Sequence, residues 1–105
     1  MNENELLQKV KANLIVEHLY DDELISNLIS AAVDYAESFQ HLEQGYYDEH
    51  SASKTTEQAV IMLASHWYES RDGSTGGFFG DSVQAGGAAM TAVNDLLRLD
   101  REWKV

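Results

Sequence analysis

The sequence predicts an all-α fold, a small bundle of about four helices with a long glycine-rich loop before the last one. Three observations predict it. Apolar residues recur at helical spacing in four separate segments. The β-branched residues fall inside that periodicity, and no two-residue hairpin signal separates alternating runs. The chain has 105 residues, 44% of them hydrophobic, which is enough for one modest core and leaves no room for a second. Residues 1–105 therefore read as a single domain. Helices of roughly 10 to 18 residues make rods of about 15 to 27 Å, the scale of a small bundle.

The first helix runs from Glu3 to Leu14, where Leu6, Leu7, Val10 and Leu14 occupy about a third of the helical circle and Lys9 and Lys11 lie outside it. Asp21 and Asp22 then offer capping oxygens and negative charge for a second helix, periodic from Leu24 to about Phe39. Its stripe is Leu24, Leu28, Ala32, Tyr35 and Phe39, flanked by Ile25, Ile29 and Ala36. Ser26, Asn27, Ser30, Asp34, Glu37 and His41 form the opposite, polar side. The polar segment from Gln44 to Ser53, carrying Tyr46 and Tyr47, is expected on the surface.

Thr55 and Gln58 have the spacing of a capping box for a third helix that continues to about Asp72. Ala59, Val60, Leu63, Ala64 and Trp67 share one side of it, Ile61 and Tyr68 widen the stripe, and Ser65, Glu69 and Asp72 supply a polar edge. A helix apolar over so much of its circumference belongs at the centre of a bundle or at an interface. Leu28 and Leu63 are the expected costly core positions. Gly73 to Gly87 holds six of the seven glycines, so backbone entropy opposes regular structure there. A last helix from Ala88 to about Leu99 sets Met90, Val93, Leu96 and Leu97 against Thr91, Asn94, Asp95 and Arg98.

The charge excludes more than it assigns. Seven Lys and Arg against 18 Asp and Glu give a net charge of −11, a field that repels phosphate and argues against a nucleic-acid grip. With no cysteine there is neither a disulfide nor a thiolate metal site, and a reducing cytosol fits. The N-terminus lacks an apolar run of signal-peptide length, and no stretch approaches the ~20 apolar residues of a membrane span.

No catalytic constellation emerges. There is no Gly-x-Ser-x-Gly elbow and no phosphate-binding Gly-x-x-x-x-Gly-Lys motif. Two pairs, Glu37 with His41 and His66 with Glu69, place a carboxylate near an imidazole, but a di-metal bundle needs two Glu-x-x-His repeats and further inward carboxylates. Neither a metal nor a cofactor is expected, and no residue is assigned a catalytic role.

Aromatic residues concentrate in the buried centres of protein contacts. Phe78 and Phe79 adjoin in the glycine-rich loop, offering apolar area that becomes favourable once covered, so this loop is expected to order on assembly. Trp103, with Arg101, sits in a terminal segment where a small monomer has little left to cover it. Tyr46 and Tyr47 in the polar connection and His66 and Tyr68 beside the third helix's stripe complete the candidates for oligomer or partner contact.

The run AVIMLASHWYESRD, Ala59 to Asp72, resembles the signature helix of the small head-tail connector proteins of long-tailed double-stranded DNA phages. The likeness extends to LLQKVKANLIVEHLYDDELISNLISAAVDYAESF before it and VNDLLRLDREWKV after it, in order. The chain departs from that pattern in having no proline and in the glycine density of 73–87. The resemblance implies a non-enzymatic structural protein of the virion neck, present in the host cytoplasm before assembly. It implies self-association as a ring, generally twelvefold, beneath the portal protein. Such a ring extends the DNA channel, binds no DNA sequence, and receives a tail-side stopper or completion protein. The rival readings are an acidic helical interaction protein, a regulator or DNA mimic with no virion role, and, more weakly, a metal-dependent bundle enzyme.

Overall fold

The computed structural model describes residues 1–15, 20–70 and 89–99, and these contain helices and no strand. Helix α1 spans Glu3–Leu14, α2 Asp22–Phe39, α3 the single turn Tyr46–Glu49, and α4 Lys54–Ser70. Helix α5 covers 89–99. The expected end of the third helix near Asp72 and the glycine-rich loop lie outside the described residues.

Asn2 caps α1, its side chain accepting the Glu5 N–H at 3.0 Å, and Glu3 and Glu5 place negative charge at the positive end of the helix dipole. Lys11 does the converse at the other end. Its ammonium lies 2.7 Å from the Asp22 carboxylate and is almost wholly buried. Asp22 opens α2 and, with Glu23, puts the expected negative charge in its first turn, whereas the capping bond expected of the aspartates is not made by Asp21. Asp21 occupies the capping position without a side-chain capping bond and instead accepts the Tyr68 hydroxyl, while Asp22 pairs with Lys11.

These contacts, with the Asn13 amide donating to the Ser65 hydroxyl at 2.9 Å, join the C-terminal ends of α1 and α4 to the N-terminal end of α2. At the opposite pole the Gln40 amide donates to the Thr56 hydroxyl at 2.9 Å and to the Leu97 carbonyl at 3.2 Å. Thus α1 and α4 run one way and α2 and α5 the other. Helix α4 contacts both α1 and α2 and contributes Ala59, Val60, Ile61, Leu63 and Ala64 to the core, as a central packing helix should. Val93 and Leu97 bring α5 into the same core, with Met90 and Leu96 at its flank.

The buried face of α2 is rotated from the expected stripe. Ile25, Ile29, Ala32 and Ala36 are its centre, whereas Leu24, Leu28, Tyr35 and Phe39 are half-buried. The large residues mark a flank of the helix where α5 lies, with the Tyr35 hydroxyl donating to Asn94 at 2.7 Å. The most enclosed positions are filled instead by Ile25 and Ile29 and by Ala32 and Ala36, the two alanines permitting close approach. Leu28 is accordingly not the costly position on this helix, and Ile29 is. Leu63 is buried as expected.

Three polar assignments are also corrected. Ser65, expected on an edge, is buried and held by Asn13. Helix α4 starts earlier than the Thr55 box, with the Ser53 hydroxyl accepting the Thr56 N–H at 3.1 Å. Glu37, placed on the polar side of α2, is only 2% exposed. The reason lies in the chain reversal that follows it. The His41 N–H bonds to the Ser38 carbonyl and the Leu42 N–H to the Glu37 carbonyl, with His41 left-handed at φ 61°, so α2 ends in a Schellman turn that folds the chain back. Gly45, at φ 87°, completes the reversal in a conformation other residues adopt only with strain.

Candidate interaction surfaces

Past that reversal, the Glu37 carboxylate accepts the N–H groups of Gly45 at 3.0 Å and Tyr47 at 2.9 Å. It thereby satisfies backbone donors at the start of α3 that have no helical partner of their own. Tyr47 is fully buried, its hydroxyl donating to the Gln40 side-chain oxygen. Gln40 is thus the hub of a buried polar network joining α2, α3, α4 and α5. No buried side-chain nitrogen or oxygen among the described residues lacks a hydrogen-bond partner. A network so fully satisfied is structural in kind, fixing one packing of the helices.

Tyr47 belongs to the interior of the protomer, which corrects its expected surface position. Its burial follows from the one-turn α3, which the polar composition of 44–53 concealed. Tyr46 is half-buried, edge-on to Tyr47 at 5.2 Å and stacked on His50 at 4.1 Å. His66 and Tyr68 are half-buried along α4. Phe78, Phe79, Arg101 and Trp103 lie outside the described residues.

The described residues contain no group of three or more His, Cys, Asp or Glu side chains able to hold a metal ion. The pair of Glu37 and His41 is separated in role, one carboxylate bonded to backbone and one residue ending a helix. A cavity of about 260 Å³ between α1, α2 and α3 is lined by Glu3, Asp34, Glu37 and Asp48 together with Met1, Leu6 and Val33. Its wall is acidic and partly apolar, with Ser30 and Gln44 adding neutral polar groups. No described helix is long and apolar enough to cross a membrane.

Ion pairs among the described residues also join helices at the surface. Lys9 reaches Glu5 at 3.1 Å and also Glu57, linking α1 to α4, and hydrogen bonds to Glu57 and then Glu5 raise its pKa. Because the shift is upward, the Lys9 ammonium keeps its proton through neutral pH, and its contribution to the bridge disappears as strongly alkaline pH removes that proton.

Two residues that sequence reasoning passed over stand out at the pole where α1 ends and α2 begins. Ile15 is 85% exposed and Tyr20 90% exposed. Ile15 closes α1 with its N–H on the Ala12 and Lys11 carbonyls and adopts φ 58°. The signal available in the sequence was an isoleucine where a helix ends without glycine.

A family model described as phage gp6-like head-tail connector protein matches residues 4–101. No curated protein and no solved structure matches the chain.

Proposed function

We propose, since this chain belongs to the phage gp6-like head-tail connector family, that its bundle is the repeating unit of a ring at the head-tail junction. The family is structural, and the chain is a structural protein of the phage virion. In the proposed ring, generally twelvefold in such connectors, each protomer sits beneath the portal protein and presents its far side to a tail-side stopper or completion protein.

The single observation that carries this reading is a family match spanning residues 4–101, nearly the whole chain. The fold is consistent with it: among the described residues, the buried polar network around Gln40 is spent on helix packing. The charge of −11 per protomer acquires a use in such an assembly, because a channel wall of that sign lets DNA slide without adhering. The neck of the virion is then its site of action.

The test is to measure mass in solution against protein concentration and salt, and to mix the purified chain with isolated portal rings under electron microscopy. Added density on the portal ring and concentration-dependent self-association are expected. A chain that stays monomeric at high concentration and high salt, and adds nothing to portal rings, overturns the connector reading.

A further inference from the structure

We infer that the groove between α1 and α4 seats the outward face of α2 from a second copy of this chain, with Asp34 of the second copy paired to Lys54. The inference rests on the connector reading, which calls for a contact between copies, and it names the two faces that make it. Ala12, Ala52 and Ile61 line the groove, and Lys9, Lys54 and Glu57 stand along it. Lys9 is held by Glu5 and Glu57, whereas Lys54, exposed, makes no ion pair within the protomer. Lys54 is also the first residue of α4, where the positive end of the helix dipole disfavours an ammonium. A carboxylate arriving from outside offsets both.

The outward face of α2 supplies one. Asn27, Ala31, Asp34 and Ser38 are exposed and fall at i, i+4, i+7 and i+11, along a single ridge. None is larger than asparagine, so the ridge can approach another helix closely. Helix α2 contains no Lys or Arg, and the Asp34 carboxylate makes no ion pair or hydrogen bond within the protomer. Small residues alone name no partner; the charge and the spacing do. Asp34 and Asn27 are seven residues apart, as are Lys54 and Ile61. Each span is about 10 Å at helical rise. With α2 laid antiparallel to α4, Asp34 therefore meets Lys54 where Asn27 reaches Ile61. Within the protomer α2 already runs opposite to α4, and rotation about an axis along the helices keeps that sense from copy to copy. The two faces are different surfaces, so the contact is head-to-tail and generates a ring where the rotation closes.

The test is a charge-reversal cycle on the full-length chain: Lys54→Asp, Asp34→Lys, and both together. Self-association is measured by sedimentation at one fixed ionic strength and on portal rings by electron microscopy, with thermal melting alongside. Each single reversal is expected to weaken self-association about fivefold or more, and the double variant to recover to within about twofold of wild type. Asp34→Lys makes the protomer less negative, so weakening by it runs against the general repulsion between copies. An equimolar mixture of the two single variants should also assemble, because every contact then joins opposite charges. Ala12→Trp, at an exposed position in the groove, should block assembly without lowering the melting temperature. Unchanged self-association in the reversals or in Ala12→Trp, or a loss that neither the double variant nor the mixture restores, overturns the inference and leaves the connector reading intact. So does a reversal that lowers the melting temperature, since that side chain is then engaged within the protomer, or a wild-type chain that binds portal rings only as separate copies. A wild-type chain that neither self-associates nor adds density to portal rings overturns the connector reading and this inference with it.

Discussion

Glu37 shows how much one side chain can hold. Its two oxygens accept two backbone N–H groups across the reversal from α2 to α3, and it is buried while doing so. Glu37→Ala should leave both donors without their acceptor and cost about 2 to 3 kcal/mol, whereas Glu37→Gln, which keeps one accepting oxygen, should cost about half as much. Urea denaturation of the two variants checks the ranking, and equal losses would mean that volume rather than hydrogen bonding is at stake. The neighbouring hydrophobic positions give a second comparison. Ile29→Ala should cost roughly 2 to 5 kcal/mol and Leu28→Ala clearly less, because only Ile29 is enclosed on all sides. Thermal melts that reversed this order would contradict the rotated face of α2.

At the scale of the element, the Gln40 hub ties α5 to the rest through its bonds to Thr56 and the Leu97 carbonyl. Gln40→Ala should speed amide exchange in α5 by about tenfold or more while leaving α1 protected, since a lost hydrogen bond of ~1 kcal/mol or more falls on the α5 contact and not on α1. Uniform acceleration through all helices would instead mean that the hub governs global unfolding. The helices themselves were legible in the sequence. Helix α1 was readable to the residue, and the core face of α5 was readable through Val93 and Leu97, because helical periodicity records which face meets a core. What stayed hidden depends on the path between helices. The burial of Glu37, Ser65 and Tyr47 follows from a chain reversal and from a neighbouring Asn13, neither of which leaves a periodic trace. The face of α2 was misjudged for a related reason: hydrophobic bulk marks a wide stripe, but the narrowest contact within it is filled by alanine. The exposure of Ile15 left only a faint trace, an isoleucine where a helix ends without glycine, because its backbone angle is not written in the periodicity.

For the whole molecule, charge and contact act over different ranges. A protomer of −11 repels its copies at long range, and only burial at short range offsets that. Self-association should therefore strengthen as salt screens the repulsion, which sedimentation across ionic strengths will show. The interior sets a further limit. Ala32 and Ala36 on α2, and Ala59 and Ala64 on α4, are all fully buried, and these two helices pack against each other. Ala32→Leu should cost about 1 to 3 kcal/mol through overpacking, measurable as a lowered melting temperature. Close packing through the shared core joins α2 broadly to α4, so the two are expected to move together as a single stiff strut. Any change of shape the protomer undergoes when it is loaded must then be taken up by the parts hung on that strut, with its length and direction passed on unaltered.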